Sequence, residues 1–201
     1  MTTLLPPGRP TAREPRRTAD SVEGGMWAFL LLDMTVFALF FGAYAWDLRS
    51  HRPAFTAEAA SLSSVVGGVN TLVLLGSSYL VVRAVHAHRS GDVAGTRRAL
   101  TGVLACAAVF VGLKCVEYVH AIESGHGLTS SPFFSYYFVL TGLHLFHVGI
   151  GSVLLLTWRR SLAHGRRPAS ERWAESAGAY WHMVDLLWLV IFTLLYVGSH
   201  R

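Results

Sequence analysis

The sequence predicts an all-α, polytopic membrane bundle of five transmembrane helices. Three observations predict it. The 201 residues are 52% hydrophobic and only 14% charged, where a soluble domain carries about 25% charge. The apolar residues gather into five runs, each near the roughly 20 residues that cross a hydrocarbon core of about 30 Å. The linkers between the runs are short and rich in Gly, Ser, Arg and His, which leaves no room for a separate soluble domain.

Residues 1–25 hold proline and arginine but no 7–15-residue apolar core, so they do not read as a secretory signal. They are expected to form a disordered cytoplasmic tail. The first span is expected over 26–46, the second over 62–85, the third over 100–122, the fourth over 133–158 and the fifth over 179–197. Pro53 and Pro132 fall just outside spans, where helix breakers belong. Trp27, Trp46, Trp158, Trp173 and Trp181 fall near span ends and suggest an aromatic belt, whereas Trp188 lies mid-span and suggests interior packing. The two cysteines, Cys106 and Cys115, share the third run and read as buried small hydrophobes, not as a disulfide or metal motif.

The basic excess of +5 comes from sixteen arginines and one lysine and reads as membrane topology, not as nucleic-acid binding. Arg9, Arg13, Arg16 and Arg17 precede span one. Arg83, Arg89, Arg97 and Arg98 follow span two, and Arg159, Arg160, Arg166, Arg167 and Arg172 follow span four. The opposite side has only Arg49, Arg52 and Arg201. The positive-inside rule therefore places the N-terminus in the cytoplasm and, with five spans, the C-terminus outside.

Ionisable groups within spans are costly and face protein or water. Asp33 in span one reads as a carboxylate near a proton path, as a contact to a partner subunit, or as a carboxyl group hydrogen-bonded to a neighbouring helix. In span two, Asn70, Thr71, Ser77 and Ser78 stand among glycines, the composition of a close helix contact with hydrogen bonds across it. Lys114 and Glu117 in span three are spaced i, i+3 and so share a face. They suggest a structural ion pair, a link to Asp33 or Asp185, or a proton relay. His144 and His147 in span four are also spaced i, i+3, as are His182 and Asp185 in span five. Two readings remain open for these histidines. One is a metal or haem site, since imidazole suits iron and zinc. The other is an interior polar cluster of Lys114, Glu117, His144, His147, His182 and Asp185 tying spans three, four and five together.

The motifs resemble subunit III of the haem-copper oxidases, the cytochrome c oxidase subunit III family in its short five-helix bacterial form. Asp33-Met-Thr-Val-Phe-Ala-Leu-Phe-Phe is similar to the family's Glu-Val-x-x-Phe-x-x-Phe-Phe. Asn70-Thr71 with Leu74-Leu75-Gly76-Ser77-Ser78 is similar to its Asn-Thr-x-x-Leu-Leu-x-Ser-Ser. Glu117-Tyr118, His144-x-x-His147-Val148-x-x-Gly151 and Tyr180-Trp181-His182-x-Val184-Asp185-x-x-Trp188 complete a collinear set over roughly residues 25–200, which identifies residues 26–201 as the family's transmembrane domain. Two departures lean towards the NorE-like accessory proteins of nitric oxide reductase. Asp33 stands where the family has glutamate, and Lys114 where oxidase members have glutamine.

The resemblance implies a non-catalytic subunit in the bacterial plasma membrane. Such a subunit binds no haem or copper, which stay in the partner subunits. It packs on catalytic subunit I of a haem-copper oxidase, or of nitric oxide reductase, and holds phospholipid in a cleft. It supports O2 reduction, proton uptake through Asp33, and aerobic electron transport. A free-standing haem- or metal-binding oxidoreductase using His144, His147 and His182 is the reading from another class.

Overall fold

A computed structural model describes residues 15–162 and 170–198, with side chains described from Ala28 onward. Six α-helices follow one another: α1 (Pro15–Ser50), α2 (Arg52–Ala59), α3 (Ser64–Arg89), α4 (Val93–Glu123), α5 (Pro132–Ser161) and α6 (Glu171–Phe192). A π-helical turn at Thr193–Val197 ends the chain's described helices. Five helical segments are long and apolar enough to cross a membrane, beginning at Ala28, Ser64, Val93, Pro132 and Glu171. The protein is thus a multi-pass membrane protein, all-helical among the described residues.

The helices outrun the apolar segments because their ends are capped. Asp92 accepts from the Gly95 N–H and starts α4 ahead of Leu100; Ser170 accepts from the Trp173 N–H and starts α6 ahead of Ala179. Each side chain satisfies an N–H that the first turn leaves without a partner. Ser63 and Ser131 cap α3 and α5 in the same way. The short α2 was not expected. Pro53 and Pro132 are first-turn residues of α2 and α5, where proline is tolerated because that N–H is unpaired anyway. Of the expected tail, residues 15–25 have helical backbone, while residues 1–14 lie outside those described. So do Arg166, Arg167 and Arg201, and the side chains of Arg16, Arg17 and Trp27.

Helices α3, α4, α5 and α6 form the main bundle, and α1 lies along α5 and α6. Only 17% of the α1 span is buried against 56% of the α6 span, so α6 is the central helix and α1 the peripheral one. Two of the expected belt residues belong to the core instead: Trp158 and Trp181 are buried, as is Trp188, while Trp46 is 72% exposed. Cys115 also differs from expectation, facing outward on α4, with Cys106 half-buried.

Close approach of α5 to α6 depends on Gly151. A Cβ there would stand 2.8 Å from Trp181 Cε3 and 3.3 Å from Tyr180 Cε1. With no hydrophobic drive between helices in lipid, such van der Waals fit carries the association. Gly151→Ala is expected to destabilise the bundle by about 1–3 kcal/mol through overpacking. Gly42→Ala, with nothing within 4 Å of its Cβ, is expected to be neutral or stabilising. Thermal unfolding in detergent compares the two.

Candidate functional site

The interior polar groups are carried by helix faces that converge on α6. Along the α3–α6 contact, three α6 rings meet three α3 hydroxyls. The Trp188 indole N–H donates to Thr71 Oγ1 at 3.1 Å, the Trp181 indole N–H donates to Ser77 Oγ at 2.9 Å, and His182 Nδ1 lies 2.6 Å from Ser78 Oγ. Thr71 and Ser77 spend their own protons on the carbonyls of Gly67 and Leu74. Their oxygens are therefore fixed as acceptors for the indoles. Asn70 is fully buried beside this row, and its side-chain amide has no hydrogen-bond partner among the described residues.

The lysine of α4 sits in the deepest part of the bundle. Lys114 is completely buried. Its Nζ donates to Glu117 Oε2 at 3.1 Å, to Tyr137 Oη at 3.2 Å and to Tyr196 Oη at 3.0 Å. Three donors thus meet three acceptors, so the ammonium is saturated. Four rings surround it, with Nζ 4.7 Å from the Tyr137 centroid and 5.3–5.6 Å from those of Trp188, Tyr118 and Tyr196. These distances lie within cation–π range. Tyr196 in turn donates its hydroxyl proton to Glu117 Oε1. Both carboxylate oxygens are engaged, and the pair is closed on itself.

Asp33 takes a different partner. Its Oδ1 lies 3.0 Å from His147 Nε2, joining α1 to α5. His147 Nδ1 lies 2.6 Å from the Leu143 carbonyl, which can only accept, so Nδ1 carries a proton. Nε2 therefore faces Asp33 either as an acceptor of a carboxylic proton or as the second N–H of an imidazolium. In both cases one proton lies between the two residues. Asp33 Oδ2 is buried with no hydrogen-bond partner among the described residues.

The six residues expected as one cluster are therefore divided. Lys114 and Glu117 form the aromatic-walled pair, and His147 goes to Asp33. His182 goes to Ser78. His144 is fully buried between Phe110 and Trp188, with ring centroids 5.4 and 5.1 Å away, and neither nitrogen has a hydrogen-bond partner among the described residues. Neither oxygen of Asp185 meets hydrogen-bond geometry among the described residues, although its carboxyl group lies against the Ser78 hydroxyl that His182 also meets. The division follows from helix geometry: residues three apart share a face but sit about 4.5 Å apart along the axis, so each finds its own neighbour. The three histidines do not converge. Among the described residues, no group of three or more His, Cys, Asp and Glu gathers as metal ligands would.

Sequence reasoning missed the two tyrosines. Tyr196 reads as an ordinary span-end aromatic, and its signal was its position eight residues after Trp188 and four after Phe192. Tyr137 had no signal beyond lying on the face of His144. Glu117 also lines an open pocket of about 530 Å³, together with Ser61, His120, His126 and Phe134. The Lys114–Glu117 pair is a satisfied charge set that joins helices, whereas Asn70, His144, Asp185 and Asp33 Oδ2 are buried without hydrogen-bond geometry to a partner among the described residues.

Comparison with known proteins agrees with this architecture. The family model described as cytochrome c oxidase subunit III matches residues 16–200. The chain is 33% identical over 180 residues to a cytochrome c oxidase subunit 3 from Thermostichus vulcanus, covering 86% of this chain and 85% of that one. It is 31% identical over 179 residues to a quinol oxidase subunit 3 from Bacillus subtilis, covering 86% and 85%. It is also 28% identical over 187 residues to a heme-copper oxidase subunit I+III from Aeropyrum pernix, covering 89% of this chain and 23% of that protein.

Proposed function

Because the chain belongs to the cytochrome c oxidase subunit III family of haem-copper oxidases, we propose that it is the non-catalytic membrane subunit of a terminal oxidase that reduces O2. The observation that carries this reading is the match over residues 16–200, essentially the whole membrane domain. The closed polar interior is in keeping with it: charges saturated by tyrosines hold helices in place and leave electron transfer to other subunits. The names of the relatives favour the oxidase branch over the reductase accessory branch, and they include both cytochrome c and quinol oxidases. The electron donor is thus a property of the partner subunits.

The partner is catalytic subunit I, which carries haem and copper. A relative whose name joins subunits I and III in one chain supports that neighbourhood. The sparsely buried α1, with Phe29, Leu31, Leu32 and Leu39 exposed, offers apolar surface to phospholipid. The complex resides in the bacterial plasma membrane with the arginine-rich ends of the spans in the cytoplasm. Purification of the tagged chain from its native membranes tests the core of the proposal. A haem-bearing subunit I is expected to accompany it; purification without any haem protein overturns the reading.

Asp33 serves proton supply to the neighbouring subunit through its shared proton with His147. Asp33→Asn removes the carboxylate and is expected to lower turnover, or the number of cycles before inactivation, by several-fold in the assembled complex. Unchanged turnover and unchanged endurance would remove that role.

A further inference from the structure

At the end of the bundle where α4 begins and α5 finishes, Ala94, Arg97, Arg98, Thr101 and Arg159 line an open pocket of about 420 Å³. No carboxylate lines it. Among the described residues neither Arg97 nor Arg98 has an ion-pair partner. The nearest acidic residue in sequence, Asp92, is turned onto the Gly95 N–H as the cap of α4. Three guanidinium groups thus line one pocket without a counter-charge among the described residues. Such like-charge clustering is unfavourable unless an anion joins it.

One of the three is held in position. Arg159 Nε donates to Thr101 Oγ1 at 2.9 Å, and Thr101 donates to the Arg97 carbonyl at 2.7 Å. With Nε tethered, the two terminal nitrogens of Arg159 remain for a planar, two-pronged contact of the kind that matches phosphate oxygens. The pocket also lies at a fixed depth. Arg97 and Arg98 come one turn into α4, just ahead of its apolar run, and Arg159 follows the buried Trp158 at the end of that of α5. Below it, α4 presents Thr101, Ala105 and Ala108 outward, a path of small side chains leading into the hydrocarbon.

We propose that this pocket binds the phosphodiester headgroup of an anionic membrane phospholipid, with Arg159 as the oriented clamp, Arg97 and Arg98 as flanking cations, and the acyl chains running down α4. The lipid is favoured over a free phosphate ion because the pocket opens at headgroup depth, where the local concentration of phosphodiester is set by the bilayer. The site lies apart from the exposed apolar face of α1, and it requires only that the helices span a membrane, not that the chain serve an oxidase.

The test uses the full chain in nanodiscs of phosphatidylcholine containing a minor fraction of spin-labelled phosphatidylglycerol, read as the fraction of label immobilised by protein. The wild type is expected to select the anionic lipid over labelled phosphatidylcholine. The Arg97→Gln/Arg98→Gln/Arg159→Gln variant is expected to lose that selectivity by roughly a hundredfold, one charge at the surface being worth somewhat under a decade of affinity. Arg159→Lys keeps the charge but not the fork and is expected to lose an intermediate part. It also carries the test if the triple variant fails to fold. A charge-matched control, Arg49→Gln/Arg52→Gln/Arg83→Gln, is expected to change little. Retained selectivity in the triple variant, an equal loss in the control, or full displacement of the lipid by inorganic phosphate would each overturn the proposal. Failure to recover a haem protein in the purification above would leave this result untouched.

Discussion

Replacing Glu117 with alanine is expected to destabilise the fold by about 3–5 kcal/mol, the cost of leaving a buried cation without its counter-ion. Lys114 is fully enclosed, and after the change only Tyr137 and Tyr196 remain as acceptors. Neither carries charge, so neither replaces the carboxylate as a counter-ion to the enclosed ammonium. The Lys114→Met/Glu117→Leu double variant removes both charges and both desolvation penalties, so it is expected to lie much nearer wild type than Glu117→Ala. Glu117→Gln keeps an acceptor and should fall between them. Unfolding by graded addition of a denaturing detergent, followed by helical circular dichroism, gives the order. A Glu117→Ala variant within about 0.5 kcal/mol of wild type, the range of ordinary surface changes, would show that the pair is not what holds α4, α5 and α6 in register.

Trp188→Ala is expected to have a comparable effect for a different reason. Trp188 is the residue at which the interior groups meet. It packs edge-on against Phe110 with centroids 4.7 Å apart, leans on His144, faces the Lys114 ammonium, and donates its N–H to Thr71. Truncation opens a large cavity, strips one wall from the lysine and leaves the Thr71 oxygen without its donor. Large-to-small changes of this size cost about 3–5 kcal/mol. Trp188→Phe retains most of the volume and is expected to recover much of that loss. Resistance to thermal inactivation, together with Trp-independent circular dichroism, separates the two variants. If alanine were tolerated as well as phenylalanine, α6 would be held mainly by its Ser77 and Ser78 contacts.

The five spans were legible in the sequence because membrane insertion is written in local composition: about 20 apolar residues bounded by arginine and proline. The hydroxyl face of α3 was legible too, since Thr71, Ser77 and Ser78 among glycines have little to do in a membrane except bond to another helix. Their partners were not legible. Nothing in the order of residues says that Thr71 meets Trp188 while Ser78 meets His182; that depends on the relative height of two antiparallel helices. The same limit explains why Lys114, Glu117, His144, His147, His182 and Asp185 read as one cluster. Sequence spacing gives azimuth around each helix but not the level at which helices are set against each other. The cap-extended ends of α4 and α6 were missed because Asp92 and Ser170 sit in polar surroundings where hydropathy alone sees a linker. The outward face of Cys115 was missed because every face of a membrane helix is apolar, so an apolar run does not tell lipid from core.

The π-helical turn at Thr193–Val197 acts as a rotational shim. In an unbroken α-helix each residue advances about 100°, so the eighth residue after Trp188 drifts off its face. The wider turn, with bonds from i to i+5, holds the rotation back, and the phenol of Tyr196 stays beneath Trp188 on the lysine pair. Deleting one residue from this stretch would let the helix wind normally and place the tyrosine seven residues after Trp188, within about 20° of the same face, whereas a stretch of eight residues wound as plain α-helix would carry it about 80° away. The hydroxyl of the last described tyrosine is thus aimed by the pitch of the helix as well as by the packing around it, and the extra residue is counted in degrees, not in contacts.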